Sequence, residues 1–331
     1  GSLSSNIISR NKLIGQATIT KAMIDSLTAI NEIEIDEVNN KIQLHAHPML
    51  YTVDGVAEVK DPIGLYAHDL AAEIHCVAAD LAPVKNIEQA VNLASLHSNG
   101  IVAAPVATGL ACLLEEEREL GVALIEIGAD LCNISVYMGG ILVGLSSFPS
   151  GGNNITDNIA RSFAMQRSHA ERQKCVNGSA NASPKDGRDL IELIPIGGKQ
   201  SSQNHSITKA ELIAVIQASL ELLVQEIETN LRALGFIDNE ANPIIKRPIV
   251  LTGGTAELSG LADYLQHKLG TTVRLAAPTK LNNLPDTMLS PSFSSLIGLA
   301  LYVADRSQQE KPLSQSPPKK GLINWLSRMF D

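Results

Sequence analysis

Three stretches of this chain end an apolar run on glycine: Glu126-Ile127-Gly128, Ser150-Gly151-Gly152 and Leu251-Thr252-Gly253-Gly254. Glycine at a strand-to-helix turn lets the backbone approach a phosphate closely, and exposed N–H groups at a helix start favour an anion. One glycine pair is usually a plain turn; the order and spacing of three are more specific. Between the second and third stretches stand Glu171 and Lys174, three residues apart and so on one face of a helix. Taken alone, that pair reads as a solvated ion pair worth about 0.3 kcal/mol.

The elements that would position these residues follow from apolar periodicity. Gly121 to Gly128 is a nearly continuous apolar run, as expected of a strand covered on both faces. Asn133 to Tyr137 and Ile141 to Phe148 continue it as a meander, with Gly139-Gly140 as the hairpin turn. A helix is predicted over Ile155 to Phe163 with Thr156 and Asp157 in its first turn. Arg167 to Gln203 is polar and reads as an irregular surface stretch with one short apolar piece, Leu190 to Ile196. Lys209 to Leu234 is the longest amphipathic helix. Ile249 to Thr252 is a strand delivering Gly253-Gly254 to a helix through Leu258, Leu261 and Leu265; a strand over Thr272 to Leu275 and a helix over Ser294 to Val303 close the series. Upstream, Ile7 to Thr20 suggests two strands turning at Gly15, and Thr20 caps a helix carrying Ile24, Leu27 and Ile30. Lys41 to Val53 and Ile74 to Ala79 read as strands. Asn86 to Ser98 reads as a helix with Ile87, Val91 and Ala94 on its buried face, ended by Gly100.

Composition narrows the function classes. The 331 residues carry 26 basic and 35 acidic side chains, a net charge of -9 that argues against a broad nucleic-acid footprint. Aromatics make up 3%, too few for base-stacking platforms, while 44% apolar residues suffice for a large core. Cys76, Cys112, Cys132 and Cys175 are scattered, without zinc spacing, and read as reduced thiols. No apolar run reaches the roughly 18 residues a membrane span needs, and no charged-then-apolar leader opens the chain. Gly1 and Ser2 read as a cloning remnant.

Asp305 to Lys320 is mostly Ser, Gln, Pro and Lys and is predicted to be a flexible linker. Beyond it Leu322, Trp325, Leu326 and Met329 recur at helical spacing, flanked by Ile323 and Phe330, with Lys319, Lys320 and Arg328 supplying positive charge. A short helix of this kind lies in the headgroup plane of an anionic membrane. The alternative, a terminal helix docked on the core, fits the linker less well.

Together, Val122 to Gly128, Pro149 to Asp157, Ala170-Glu171-Arg172-Gln173-Lys174 and Ile249 to Ala256 resemble consecutive motifs of the bacterial cell-division protein FtsA family. Upstream Tyr51 to Asp54, Asp61 to Gly64, Asn86-Ile87 and Glu116 to Gly121 fit the same pattern, so the resemblance covers almost the whole chain in one register. It implies an α/β fold, actin-like (ribonuclease H-like), with a small α+β inserted subdomain. The implied division is a remnant (1–2), the inserted subdomain and return to the first lobe (3–105), the first part of the second lobe (106–165), an adenosine-side subdomain (166–245), the rest of the second lobe (246–305), a linker (306–318) and a membrane-targeting helix (319–331). Glu126 and Gly128 would belong to the second phosphate loop, Gly151, Gly152 and Thr156 would line the cleft, Glu171 and Lys174 would reach ribose and base, and Gly253, Gly254 and Thr255 would pass beside phosphates and adenine. The implied cofactor is ATP or ADP with Mg2+. Implied partners are the C-terminal peptide of the tubulin-like protein FtsZ, docking on the second half of the fold around Lys209 to Leu234, further copies of the chain in filaments, other division proteins and an anionic membrane surface. The implied place is the cytoplasmic face of the inner membrane at the division site.

Two departures bear on the chemistry. The family's second phosphate loop has an Asp, glycines and then threonines, where this chain reads Glu126-Ile-Gly-Ala-Asp-Leu-Cys132. Leu131 and Cys132 lack the hydroxyls, and Asp130 sets a negative charge near the expected polyphosphate; like charges about 4 Å apart cost several kcal/mol at an effective dielectric near 20. Family members also begin with a strand-turn-strand forming the first phosphate loop, which nothing before Ile7 matches, so the fold is expected to be N-terminally incomplete. ATP is therefore expected to bind weakly if at all, with weak hydrolysis at most and no catalytic residue or metal ligand assigned. Alternatives within the same superfamily are a cytoplasmic scaffold of type IV pilus assembly and a sugar-kinase or chaperone-type ATPase.

Overall fold

The computed structural model describes residues 3–28, 35–36, 40–194, 206–237, 247–278 and 284–309. The first apolar segments form an antiparallel sheet of β1 (Leu3–Thr18), β2 (Ile35–Asp36), β3 (Lys41–Val53), β4 (Val56–Val59) and β5 (Tyr66–Asp80), in the order β1-β5-β3-β2 with β4 on β3. Helix α1 (Lys21–Thr28) buries Ile24 and Leu27 against this sheet beside Tyr51, Leu70 and Ile74. β1 is one strand, not the predicted pair. Gly15 and Gln16 take φ of 71° and 61°, and the register shifts between Leu13 and Ala17, so the chain bulges there instead of reversing.

Three helices follow: α2 (Leu81–Leu93), α3 (Ala104–Cys112) and α4 (Glu115–Leu120). α2 starts and stops about five residues before the predicted helix. It buries Val84, and Ile87 is exposed, so the predicted inner face is turned outward. α3 is absent from the sequence reading because Pro105, Val106, Ala107, Ala111 and Cys112 are buried all round it, leaving no amphipathic period to detect.

The second sheet holds β6 (Val122–Ile127), β7 (Cys132–Met138) and β8 (Ile141–Phe148), the predicted meander turning at Gly139-Gly140. The chain then forms α5 (Gly152–Ser162), α6 (Arg167–Asn177), a short ribbon of β9 (Leu190–Glu192) and β10 (Ser206–Thr208), and α7 (Lys209–Ala233). It ends with β11 (Ile249–Thr252), α8 (Leu261–Leu269), β12 (Val273–Leu275) and α9 (Ser294–Gln309). α5 begins at Gly152, so Thr156 and Asp157 lie in its second turn, not its first. α6 falls in the polar stretch read as irregular, though Glu171 and Lys174 within it were expected on one helix face; it buries only Ala170 and Gln173, too little apolar surface to mark its bounds. α9 runs past Asp305, where the linker was expected. Ile30, most of the predicted linker and the predicted membrane helix lie outside the described residues.

The sheet order is β12-β11-β6-β7-β8, with β11 parallel to both β6 and β12. The run from Val122 to Ile127 is apolar throughout because both faces are covered. Ala123, Ile125 and Ile127 pack with Ile155, Leu220 and Leu261 of α5, α7 and α8. Val122 and Leu124 face the other way, toward Val106 of α3 and Ile297 of α9. α3 and α9 meet at Gly298, where an added Cβ would overlap the Ala107 carbonyl.

Polar contacts join the small sheet to this lobe. The Leu145 amide donates to the Ser5 hydroxyl (3.2 Å), which is also hydrogen-bonded to Nε2 of His75 (2.7 Å). The Ala103 amide donates to Nε2 of His45 (2.9 Å). His75 is fully buried; burial, and secondarily the nearby His47, lower its pKa to about 4.

Two predictions follow from these junctions. Gly298→Val should destabilise the fold by about 1–3 kcal/mol through overpacking against α3, read as a lower thermal midpoint. Between pH 6.5 and about 4 the unfolded chain takes a proton on His75 that the folded chain refuses, so stability falls with pH through that window. Urea midpoints should fall as pH drops below 6.5, and less steeply in His75→Gln.

Candidate functional site

The register of β11 on β6 sets Thr252 beside Glu126, so Gly128 and Gly253-Gly254 leave the sheet at one edge. Gly253 takes φ +93°, and a Cβ there would stand 2.5 Å from the Ile127 carbonyl oxygen; only glycine allows that approach. The Thr255 hydroxyl then donates to the Gly128 carbonyl at 2.7 Å. The remaining glycine pair, Gly151-Gly152, arrives from β8. A Cβ on Gly151 would lie 2.5 Å from the Ala129 carbonyl oxygen, and the amides of Gly152 and Asn153 donate to the carbonyls of Gly128 (3.0 Å) and Ala129 (2.7 Å).

Glu171 and Lys174, on one face of α6, close the side of this crevice. Lys174 Nζ donates to the Gly152 carbonyl (3.0 Å), the Thr156 hydroxyl (2.9 Å) and Glu171 Oε2 (2.8 Å). Thr156, fully buried, also bonds Glu171. Burial would raise the Glu171 pKa, but the bonds from Lys174 and Thr156 outweigh it and hold the carboxyl below its usual value. The Cys175 thiol leans on Glu171 at 3.4 Å and is pushed up by burial and by that carboxylate.

A cavity of about 510 Å³ opens here. Of the sequence candidates, Gly152, Glu171, Lys174, Gly254 and Thr255 line it; Gly128, Gly151, Gly253 and Thr156 form the layer behind. Glu126 stands apart from the lining: its carboxylate accepts from Asn133 Nδ2 (3.1 Å) and from the Ser295 hydroxyl, toward α9. Val176, Gly178 and Glu257, which also line the cavity, went unnoticed in the sequence. Gly178 caps the end of α6 four residues after Lys174, so close that a Cβ there would overlap the Lys174 carbonyl.

At the start of α5 the polar groups are taken up within the chain. The amides at the start of α5 are engaged by the 128–129 carbonyls. Asp130 stands at its rim, tied to Asn153 Nδ2 at 2.6 Å. Cys132, where the family has a hydroxyl, is fully buried in the core with its thiol pushed well above its usual range by burial. Among the described residues no three His, Cys, Asp or Glu side chains come together to hold a metal. A second cavity, of about 550 Å³, lies between α5 and α7 and is lined by Asn154, Asp157, Arg161, Leu222, Glu226 and Asn230 among others.

Comparison with known proteins agrees with this architecture. The family model for "Cell division protein FtsA" matches residues 123–298, and that for "SHS2 domain inserted in FTSA" matches residues 2–78. Cell division protein FtsA of Agrobacterium fabrum is 35% identical over 264 residues, 79% of this chain and 58% of the relative. The Escherichia coli K12 protein of the same name is 32% identical over 298 residues, 87% of this chain and 70% of the relative. The chain thus spans little more than half the length of the first of these. Among solved structures, the PilM-PilN type IV pilus biogenesis complex matches with a TM-score of 0.57 at 19% identity, covering 90% of this chain and 76% of that one. MreB5 of Spiroplasma citri bound to ADP matches with a TM-score of 0.54 at 16% identity, covering 70% and 69%. The fold is therefore actin-like.

The two glycines of the third loop should respond differently to substitution. Gly253→Ala meets both a positive φ and the Ile127 backbone and should cost about 1–3 kcal/mol in stability. Gly254→Ala, whose Cβ meets only Ser292 at 3.7 Å, should leave the thermal midpoint nearly unchanged.

Proposed function

Because this chain belongs to the FtsA family of bacterial cell-division proteins, we propose that it tethers the division ring to the cytoplasmic face of the inner membrane, holding polymers of FtsZ and recruiting further division proteins. The observation that carries this reading is the match of both the second lobe and the small inserted domain to that family, in order along one chain. The pilus scaffold resembles this chain in fold, but at 19% identity it stands well behind the 32–35% of the division proteins.

The membrane half of the reading rests on the segment from Lys319 to Phe330. Six apolar side chains, Leu322, Ile323, Trp325, Leu326, Met329 and Phe330, stand to be buried in the headgroup boundary. Each gives about 1.5–3 kcal/mol before immobilisation costs. Lys319, Lys320 and Arg328 add about 1 kcal/mol each on an anionic leaflet. Such binding is marginal for a single molecule. Filaments would multiply it, since each neighbouring anchor binds intramolecularly once the first is down. Among the described residues no helix is long and apolar enough to cross a membrane, in keeping with a peripheral attachment.

For the FtsZ peptide, the cavity between α5 and α7 is the place we favour. It is lined by polar side chains, among them Asn154, Asp157, Gln225 and Glu226, with Leu222 as an apolar contact. The crevice at Gly152 and Gly254 would act in this role as a structural joint, without turnover.

Two measurements decide the proposal. The full chain should sediment with anionic vesicles, and the Trp325→Glu/Leu326→Glu variant should stay in the supernatant; equal sedimentation of the two removes the anchor. FtsZ should be retained on the immobilised chain to the same extent with and without ATP, and absence of retention in both conditions removes the tether.

A further inference from the structure

From Ser294 to Ala304, helix α9 carries no charged residue on any side. Its inner side, Ile297 with Leu301 and Tyr302, packs into the cluster around Val106 and Leu124. Its outer side, Leu296, Leu299, Ala300 and Val303, recurs at i, i+3, i+4 and i+7, the spacing of one helix face. Of these, Leu296, Leu299 and Val303 are 50%, 41% and 58% exposed. A helix that is apolar all round is normally covered all round, as α3 is. α9 instead turns a second apolar stripe to solvent.

The same chain supplies a partner of matching period. Leu322, Trp325, Leu326 and Met329 also stand at i, i+3, i+4 and i+7, so the two stripes have equal length. They are close along the chain as well. α9 runs to Gln309, and nine residues, 310–318, separate it from Lys319. In an antiparallel helical hairpin with Trp325 level with Leu299, the second helix would begin about 10 Å from the end of α9. Nine residues can span about 30 Å, so the connection is long enough without strain. Lys319 and Lys320 would then stand beside the carbonyl end of α9, which favours cations.

We propose that, without lipid, the segment from Lys319 to Phe330 docks on the outer stripe of α9 of its own chain, and that α9 and the membrane compete for the one apolar face of that segment. The competition rests on the anchor reading above; the docking rests on the exposed stripe, the matched spacing and the short connection. One apolar face cannot meet both surfaces at once. A segment docked about nine-tenths of the time would bind lipid about ten-fold more weakly than a free one. Single molecules are thereby held off the membrane, while a filament, whose neighbouring anchors bind together, overcomes the docking.

Trp325 is the only tryptophan of the chain, so its fluorescence reads the dock directly. In the full chain without lipid, acrylamide should quench it about three-fold less than free N-acetyltryptophanamide, because most molecules hold it covered. Equal quenching overturns the proposal, with no variant needed. In Leu296→Gln/Leu299→Gln, which alters only exposed positions, quenching should rise about two-fold and phosphatidylglycerol vesicles should be bound at least about two-fold more tightly than by the parent. Equal shielding in variant and parent overturns α9 as the dock, and equal vesicle binding overturns the competition. Shielding that disappears on dilution identifies the cover as a second copy and overturns docking within one chain. If the double variant does not fold, Val303→Gln reads the same quenching. Shielding as expected in a chain that binds no vesicles removes the anchor and leaves the dock standing, so the two readings fail separately.

Discussion

The parallel pairing of β11 with β6 is the constraint on which the site depends. It brings Thr252 level with Glu126 and so releases two glycine loops at the same edge, close enough for Thr255 to bond Gly128. A slip of one residue would turn Ile249 and Leu251 away from the α7–α8 core and Val250 into it. The apolar pattern on both faces thus fixes the register, and the register fixes the crevice. Gly253 tightens the arrangement by letting the β11 turn press against the Ile127 backbone.

At that edge the loops of an actin-like architecture are tied to one another. The loop after β6 turns its carbonyls onto the start of α5, and Lys174 ties α6 to the same turn. Polar groups so placed must be satisfied, because an orphaned donor costs its full desolvation. Here the satisfaction is internal: each strong donor at the α5 end has a protein acceptor. Glu126 is likewise drawn off, toward Asn133 and Ser295 on the far side of the strand. A lobe wired in this way can serve as a rigid scaffold for contacts elsewhere on its surface.

The small antiparallel sheet meets the lobe through Ser5, His45 and His75. These are directional contacts that set orientation and contribute modestly to net stability. The small domain keeps a separate apolar core around Leu70 and Ile74. The seam is apolar as well, since Val77, Leu3 and Leu44 of the sheet pack in one cluster with Val106, Leu142 and Leu145 of the lobe.

Much of this was legible in the residues alone. The meander, the long helix α7 and strands β3, β11 and β12 follow from apolar runs and alternation, which depend on local spacing and need no knowledge of partners. The family and the three glycine loops were legible for the same reason. α3 and α6 were hidden, the first because it is buried all round and the second because it buries almost nothing; each lacks the contrast that periodicity requires. Only the tertiary structure decided that Lys174 is spent on Gly152 and Thr156, that Glu126 points away, and that carbonyls cap α5. Those facts are hydrogen bonds between segments as much as 169 residues apart, as between Ser295 and Glu126. Sequence determines which residues arrive at the crevice; which donor meets which acceptor there is settled by a packing geometry that no local pattern encodes.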